Sequence, residues 1–339
     1  MWRSRRILML LLVGGLAATG SLAVWVGVAL NDLGTEPLLS TGERQVVELA
    51  KGTSLTALAG ELVQRGWLEH PRVLRLYGRI SGKAAAIKAG EYAVEPGMTT
   101  LELLDRMVAG AVIRHRFTIV EGWTFRDLLR ALEFNTALRH ILSSDAPADV
   151  MAQLGHAGEN PEGRFLPETY RFSRGGTDVA LLKRAYVAMQ RVLQAQWEQR
   201  ADGLPLKSPY QALILASIVE KETARTKERA QVAGVFMRRL ERGMPLQTDP
   251  SIIYGLGAEF DGDIRYRDLR NDSPYNTYTR KGLPPTPIAM PGRASIVAVL
   301  HPDAGKALYF VARGDGSHEF SATLAEHNQA VRKYLLHER

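Results

Sequence analysis

Cysteine is absent from all 339 residues, which excludes thiol catalysis, thiolate metal sites and any covalent tether in the fold. Histidine is scarce. His301, His318 and His327 lie at spacings that match no ligand pair such as two histidines four apart on a helix, so no metal is called for. His301, directly before Pro302, reads as a helix-end cap instead. No glycine-rich loop links a strand to a helix, and the pair Gly255 and Gly257 does not make one, so no nucleotide or other cofactor is expected. Basic residues outnumber acidic ones, 43 to 36, for a net charge of +7. They are scattered, however, and no Lys/Arg run interleaves with stacking aromatics, which argues against nucleic acid. The charge favours anionic lipid or a carboxylate-bearing wall polymer, or serves only to solvate a basic surface.

Charge is also missing from Ile7 to Asn31, a run of 25 residues. As a helix this run is long enough to cross a bilayer, and residues 7–30 read as a single membrane span. Arg3, Arg5 and Arg6 precede it, and Asp32 and Glu36 follow. The positive-inside rule then keeps residues 1–6 cytoplasmic and sends the remainder outward. A cleaved signal peptide is the alternative, since small residues occur at Ala17 to Ser21, although the apolar run continues to Leu30.

Beyond this segment the pattern is α+β. A short strand, a glycine turn, a Ser or Thr cap and an amphipathic helix recur three times: Arg44–Leu49 with Ser54 and Leu55–Gln64, Glu91–Val94 with Thr99 and Glu102, and Phe117–Val120 with Thr124 and Phe125–Leu132. Pro71 opens a further helix between the first two, so residues 44–94 read strand, helix, helix, strand. That order is the topology of a LysM module, and residues 40–135 are assigned to a LysM-like domain; a packing domain of the same order is equally compatible. Residues 136–163, rich in small and polar types, read as a connector. Residues 164–339 form the larger domain, with a core stripe Val179, Leu182, Tyr186, Met189 and Leu193, a hairpin around Arg313–Gly316, and a last helix capped by Thr323 and Glu326.

Within that domain Ala212–Thr223 places an apolar helix ahead of Glu220. Its neighbours three and four positions away are Ala216, Ser217, Thr223 and Ala224, so no helical ion pair accounts for it. A carboxyl in a partly desolvated cleft is disposed to hold and donate a proton; the plain alternative is that Glu220 marks where the helix meets solvent. Glu222 has Arg225 three residues on and reads as a paired surface carboxylate. Gln247 and Asp249 match the vicinal donors and acceptors of a sugar, while Asp249 before Pro250 also fits a helix cap. Asn276 and Tyr278 could hold an acetamido group and stack on a ring, or simply build a turn. Tyr254, beside Ile252 and Ile253, reads as core.

Taken in order, Glu220-Lys221-Glu222-Thr223, Leu246-Gln247-Thr248-Asp249-Pro250, Tyr275-Asn276-Thr277-Tyr278 and Gly282-Leu283-Pro284-Pro285 resemble the YceG-like family of endolytic murein transglycosylases. The N-terminal apolar segment and Phe165–Tyr170 fall where that family would have them, so the resemblance spans nearly the whole chain. It departs at Thr286 and Met290, where a glycine and a smaller polar residue are more usual, and this bears on substrate fit, not on the reaction. The resemblance implies one catalytic acid, Glu220, with Gln247, Asp249, Asn276, Tyr278 and Glu222 as substrate-binding positions. It also implies peptidoglycan glycan strands as substrate and peptidoglycan synthases in the membrane as partners. With the charge pattern it implies a single-pass protein of the bacterial inner membrane with periplasmic domains. A non-catalytic wall-binding scaffold, and a hydrolase using Asp249 or Glu222 as partner base, are the rival readings.

Overall fold

The computed structural model describes residues 2–336, with side chains from residue 12 onward except at residue 15. The orientation assigned to residues 1–6 rests on side chains outside this set. The chain forms two compact units, one of Met1–His115 with Ser173–Gly175, the other of Arg116–Phe172 with Gly176–Arg339.

The first unit begins with the long helix α1 (Trp2–Thr35). Its segment Leu12–Thr35 is long and apolar enough to cross a membrane and is almost wholly unburied by protein. Only its end enters the core: Ala29 and Leu33 are buried, and Trp25 meets His70 edge-on at 5.3 Å. Then follow β1 (Gln45–Leu49), α2 (Leu55–Gln64), α3 (Pro71–Ile80), β2 (Gly90–Val94) and α4 (Thr100–Ala109). Strands β1 and β2 pair antiparallel, with Val47 opposite Tyr92, so residues 44–94 do run strand, helix, helix, strand. The expected cap of α4 is present, with Thr99 and Glu102 bonding reciprocally and Gly110 closing the helix in a left-handed conformation.

Strand β3 (Arg114–Thr118) begins in the last two residues of the first unit's Met1–His115 stretch and passes into the second unit, which continues with α5 (Phe125–Glu133), capped reciprocally by Thr124 and Asp127. The strand lies earlier than Phe117–Val120 because its partner is backbone: β3 pairs with β4 (Thr169–Ser173), and of its side chains only Phe117 is buried. Residues 136–163 are not a bare connector. They contain α6 (Pro147–Leu154), started by proline, stopped by Gly155 at φ 95°, and packed through Val150, Met151 and Leu154. A composition of small and polar residues concealed this short helix.

The remaining elements are α7 (Asp178–Glu198), α8 (Pro209–Glu222), α9 (Arg229–Glu241), α10 (Asp249–Leu256), α11 (Tyr266–Arg270), α12 (Arg293–Leu300), the hairpin of β5 (Tyr309–Ala312) and β6 (His318–Ser321), and α13 (Leu324–Tyr334). Helix α8 is central, touching α7, α9, α10 and α12. Every residue from Ala212 to Val219 is buried, so α8 is apolar all round, as a helix enclosed by others must be.

Candidate active site

Ser208 starts α8 by accepting the N–H of Gln211, and the helix runs through the core to Glu220 in its last turn. Within the core, Ser217 donates to the carbonyl of Ile214 and accepts the N–H of Ile288 at 2.9 Å, tying the proline-rich segment after Pro284 to α8. The side chain of Glu220 is only 5% exposed. Three donors meet it: Arg229 Nη2 reaches Oε1 at 2.9 Å, while the Gly292 N–H and the Ser295 hydroxyl reach Oε2 at 2.9 and 2.7 Å. Gly292 is the N-cap of α12 and has no side chain with which to cap it. The carboxylate of Glu220, from another helix, takes the N–H of Gly292 itself and the hydroxyl of Ser295 in the first turn, where the α12 dipole also favours negative charge.

The unpaired Glu220 expected from helical spacing is therefore corrected. Its partner lies nine residues on in the chain, beyond the reach of three- and four-residue spacing, and arrives because α9 packs on α8. Arg229 is itself buried, and its Nε has no partner among the described residues. Beside it stands Glu121, Oε2 lying 3.7 Å from Arg229 Nη2. Neither Arg229, Ser295 nor Glu121 was picked out from sequence, because each is distant from Glu220 and none sits in a recognisable motif for charge pairing.

Glu222 is also corrected. Two residues past Glu220 it points about 200° around the helix, and it takes the hydroxyl of Thr248 while Arg225 bonds the carbonyl of Asp315 at 2.6 Å. The residue is half-buried as a whole, but its carboxyl is enclosed, and burial pushes it up to about 7. The Thr248 hydroxyl opposes this, the charge of Asp249 adds to it, and Arg239 opposes it. What is corrected is the surface ion pair with Arg225: Glu222 holds Thr248 on the side of α8 turned away from Glu220.

Gln247, Asp249 and Tyr278 are brought together on that side. The Gln247 N–H bonds the Thr277 carbonyl at 3.0 Å, the Thr248 N–H bonds Thr277 Oγ1 at 3.0 Å, and Tyr278 donates to Asp249 at 2.5 Å. Gln247 and Asp249 are exposed and Tyr278 is half-buried. Asp249 does not cap α10; it is the first helical residue, after Thr248. Gln247 has φ 52°, the sole positive value outside glycine among the described residues. Arg239 holds this conformation, bonding the carbonyls of Leu246 and Leu308 at 2.9 and 2.7 Å and Gln247 Oε1 at 3.2 Å. No hydrogen bond or ion pair among the described residues joins this group to Glu220.

Asn276 belongs to the scaffold. It is 2% exposed, its amide donates towards the carbonyls of Asp268, Leu269 and Asn271, and its oxygen accepts the N–H of Tyr278 and Thr279. With every group engaged it builds the turn and leaves nothing for an acetamido group. Tyr254 is more than core packing, since its hydroxyl donates at 3.1 Å to Glu162. Glu162 also accepts the Phe125 N–H, and burial pushes its carboxyl up to about 7 against those two bonds and the Gly163 N–H. Thr286 and Met290 face inward: Thr286 bonds Tyr275 at 2.9 Å, and buried Met290 exchanges backbone bonds with Gly122 and Trp123. His318 bonds Glu228 at 2.7 Å.

The chain is a mixed helix-and-strand protein in which the carboxylate of Glu220, at the end of a buried helix, is gripped by an arginine and a helix N-terminus. The sequence model of the YceG-like family matches residues 47–333, and the chain belongs to that family. It is similar to the endolytic murein transglycosylase of Bacillus subtilis strain 168, with 30% identity over 307 residues, 85% of this chain and 84% of that protein. The endolytic murein transglycosylase of Streptococcus pneumoniae serotype 2 strain D39 is 26% identical over 324 residues, 85% of this chain, which spans 58% of the pneumococcal protein. Among solved structures, a YceG-like protein from Listeria monocytogenes aligns with 28% identity and a TM-score of 0.49, covering 85% of this chain and 99% of that one.

Proposed function

We propose that the chain is a peptidoglycan lytic transglycosylase that cuts glycan strands internally, with Glu220 as its only acid–base group. The supporting observation is the enclosed carboxylate of Glu220 held by three donors, together with relatives named for this activity. Protonated Glu220 gives its proton to the bridging oxygen between N-acetylmuramic acid and N-acetylglucosamine, the bond from that oxygen to the muramic C1 breaks, and positive charge builds on the sugar ring. Glu220, now a carboxylate, takes the proton of the muramic C6 hydroxyl as its oxygen bonds to C1. The product is a 1,6-anhydro end, the acid is regenerated, and no water is consumed.

The neighbours suit both states. Arg229, the Gly292 N–H and Ser295 stabilise the carboxylate, and the Ser295 hydroxyl can turn to accept from the acid form. Gln247, Asp249 and Tyr278 are the proposed sugar contacts away from the reacting bond. The first unit is proposed to grip glycan in the manner of a LysM module, a reading supported by its strand, helix, helix, strand order. The apolar segment of α1 would hold the chain in the bacterial inner membrane, with both units outside and near the synthases that make nascent strands, so that cutting ends their elongation.

The test uses the full-length chain in mild detergent with uncrosslinked peptidoglycan strands and mass spectrometry of the fragments. The wild-type chain yields internal fragments ending in anhydro-muramic acid. Glu220→Gln binds strands and loses at least about a hundredfold in rate. Fragments heavier by one water would make the protein a hydrolase, and strand binding without cleavage by either form would make it a scaffold.

A further inference from the structure

Arg229 carries one positive charge against two carboxylates. Glu220 takes its Nη2 at 2.9 Å, and Glu121 stands 3.7 Å from the same nitrogen. The two also share Gly292, whose N–H bonds Glu220; a Cβ built on that glycine would fall 1.9 Å from Glu121 Oε1. Gly292 has an ordinary negative φ, so what the missing side chain leaves here is space, and the Glu121 carboxylate lies in it. The Glu121 loop is fixed by paired backbone bonds, Gly122 N–H to the Met290 carbonyl at 2.9 Å and Met290 N–H to the Trp123 carbonyl at 2.7 Å. Yet the Glu121 side chain is 48% exposed whereas that of Glu220 is 5% exposed. One carboxylate is locked and the other is free to move, with a buried guanidinium between them whose Nε has no partner among the described residues.

We propose that Glu121 is a positioning residue for the cleavage step, drawing Arg229 away from Glu220 while Glu220 holds its proton and yielding it as Glu220 becomes a carboxylate. This rests on the proposed transglycosylase chemistry of Glu220. The charge count supports it: two carboxylates and one guanidinium sum to one negative charge, and a single proton, the one the reaction needs, brings the group to neutrality. Three charged neighbours in sequence are engaged elsewhere. Lys221 on α8 reaches the Gly122 carbonyl at 3.4 Å, Glu222 faces the opposite side with Thr248, and Glu228, next to Arg229, is held by His318 from β6. No other carboxylate forms an ion pair with Arg229 among the described residues. The guanidinium stays buried between the locked carboxylate and the mobile one, so charge is already in place when Glu220 ionises, which is how preorganised charge lowers a barrier.

The experiment compares the full-length wild-type chain, Glu121→Gln, Arg229→Met and the double variant on uncrosslinked strands, reading kcat and KM, with Glu220→Gln as the inactive control. Glu121→Gln is expected to unfold at the wild-type temperature, since the side chain is half-exposed, and to lose about tenfold or more in kcat with KM within about twofold. Adding Glu121→Gln to Arg229→Met is expected to cause no further loss, because the first acts through the second. Wild-type kcat in Glu121→Gln, a change confined to KM, or losses that multiply in the double variant would each overturn the proposal. The single variant decides even if Arg229→Met fails to fold. Absence of cleavage by the wild-type chain overturns the transglycosylase reading as well, so the two failures are distinguishable.

Discussion

Replacing Glu222 by Gln tests whether burial on the inner side of α8 has the electrostatic consequence derived for it. In the folded chain the Glu222 carboxyl is pushed from the ordinary 4.5 to about 7, mainly by burial. Between those values the unfolded chain has released the proton and the folded chain retains it, so each rise in pH favours unfolding. Stability from this group is complete below about pH 4.5 and is lost as pH rises towards 7. At about 1.4 kcal/mol per tenfold change in proton activity, the whole interval corresponds to about 3 kcal/mol. Glutamine keeps an oxygen for the Thr248 hydroxyl but cannot ionise. The stability of Glu222→Gln relative to wild type should therefore climb by about 3 kcal/mol from pH 4.5 to 7.5 and be level above that. Urea titrations of both full-length proteins in the same detergent, followed by tryptophan fluorescence across this range, give the difference directly. A difference that stays flat would mean the carboxyl ionises as in water, and one that falls with pH would mean the fold favours its charged form; either refutes the reasoning.

Two further substitutions test the scaffold around the site. Asn276→Ala removes a fully engaged buried amide and leaves several carbonyls and N–H groups without partners; it should cost about 2–4 kcal/mol in urea denaturation. Gly163→Ala meets both a φ of 76° and a Cβ contact 2.6 Å from Pro287. It should cost about 1–3 kcal/mol and lower the melting temperature, whereas alanine at open Gly203, where φ is 74° but nothing is near, bears only the backbone part.

Local signals in the chain were readable wherever structure depends on neighbours a few residues apart. The caps at Ser54, Thr99, Thr124 and Thr323 all hold their helices, and the stripe from Val179 to Leu193 is buried as its spacing requires. Helix α6 escaped because eight residues of mostly small side chains hardly differ in composition from a loop. The site was legible only in part. Glu220 was marked by the apolar helix before it, but the groups that hold it, Arg229, Gly292 and Ser295, converge through packing of α8, α9 and α12. Asn276 shows the converse limit: an amide between two tyrosines has the composition of a sugar contact, and only its five hydrogen bonds to the loop assign it to the scaffold.

Helix α1 carries a practical consequence. Trp25, Ala29 and Leu33 recur every four residues along one face and are the points at which α1 joins the first unit. With helix unbroken from Trp2 to Thr35, the apolar segment continues into the domain as a stiff post, with no leash of loop between them. If the apolar segment is set in a bilayer as proposed, such a post fixes the height and tilt of the first unit at the lipid surface, and under the proposed function a glycan strand would reach that unit at a set depth. A shortened version made for solubility by cutting after residue 33 would remove part of the first unit's core along with the apolar segment, and a cut that keeps Trp25 onward would retain that core.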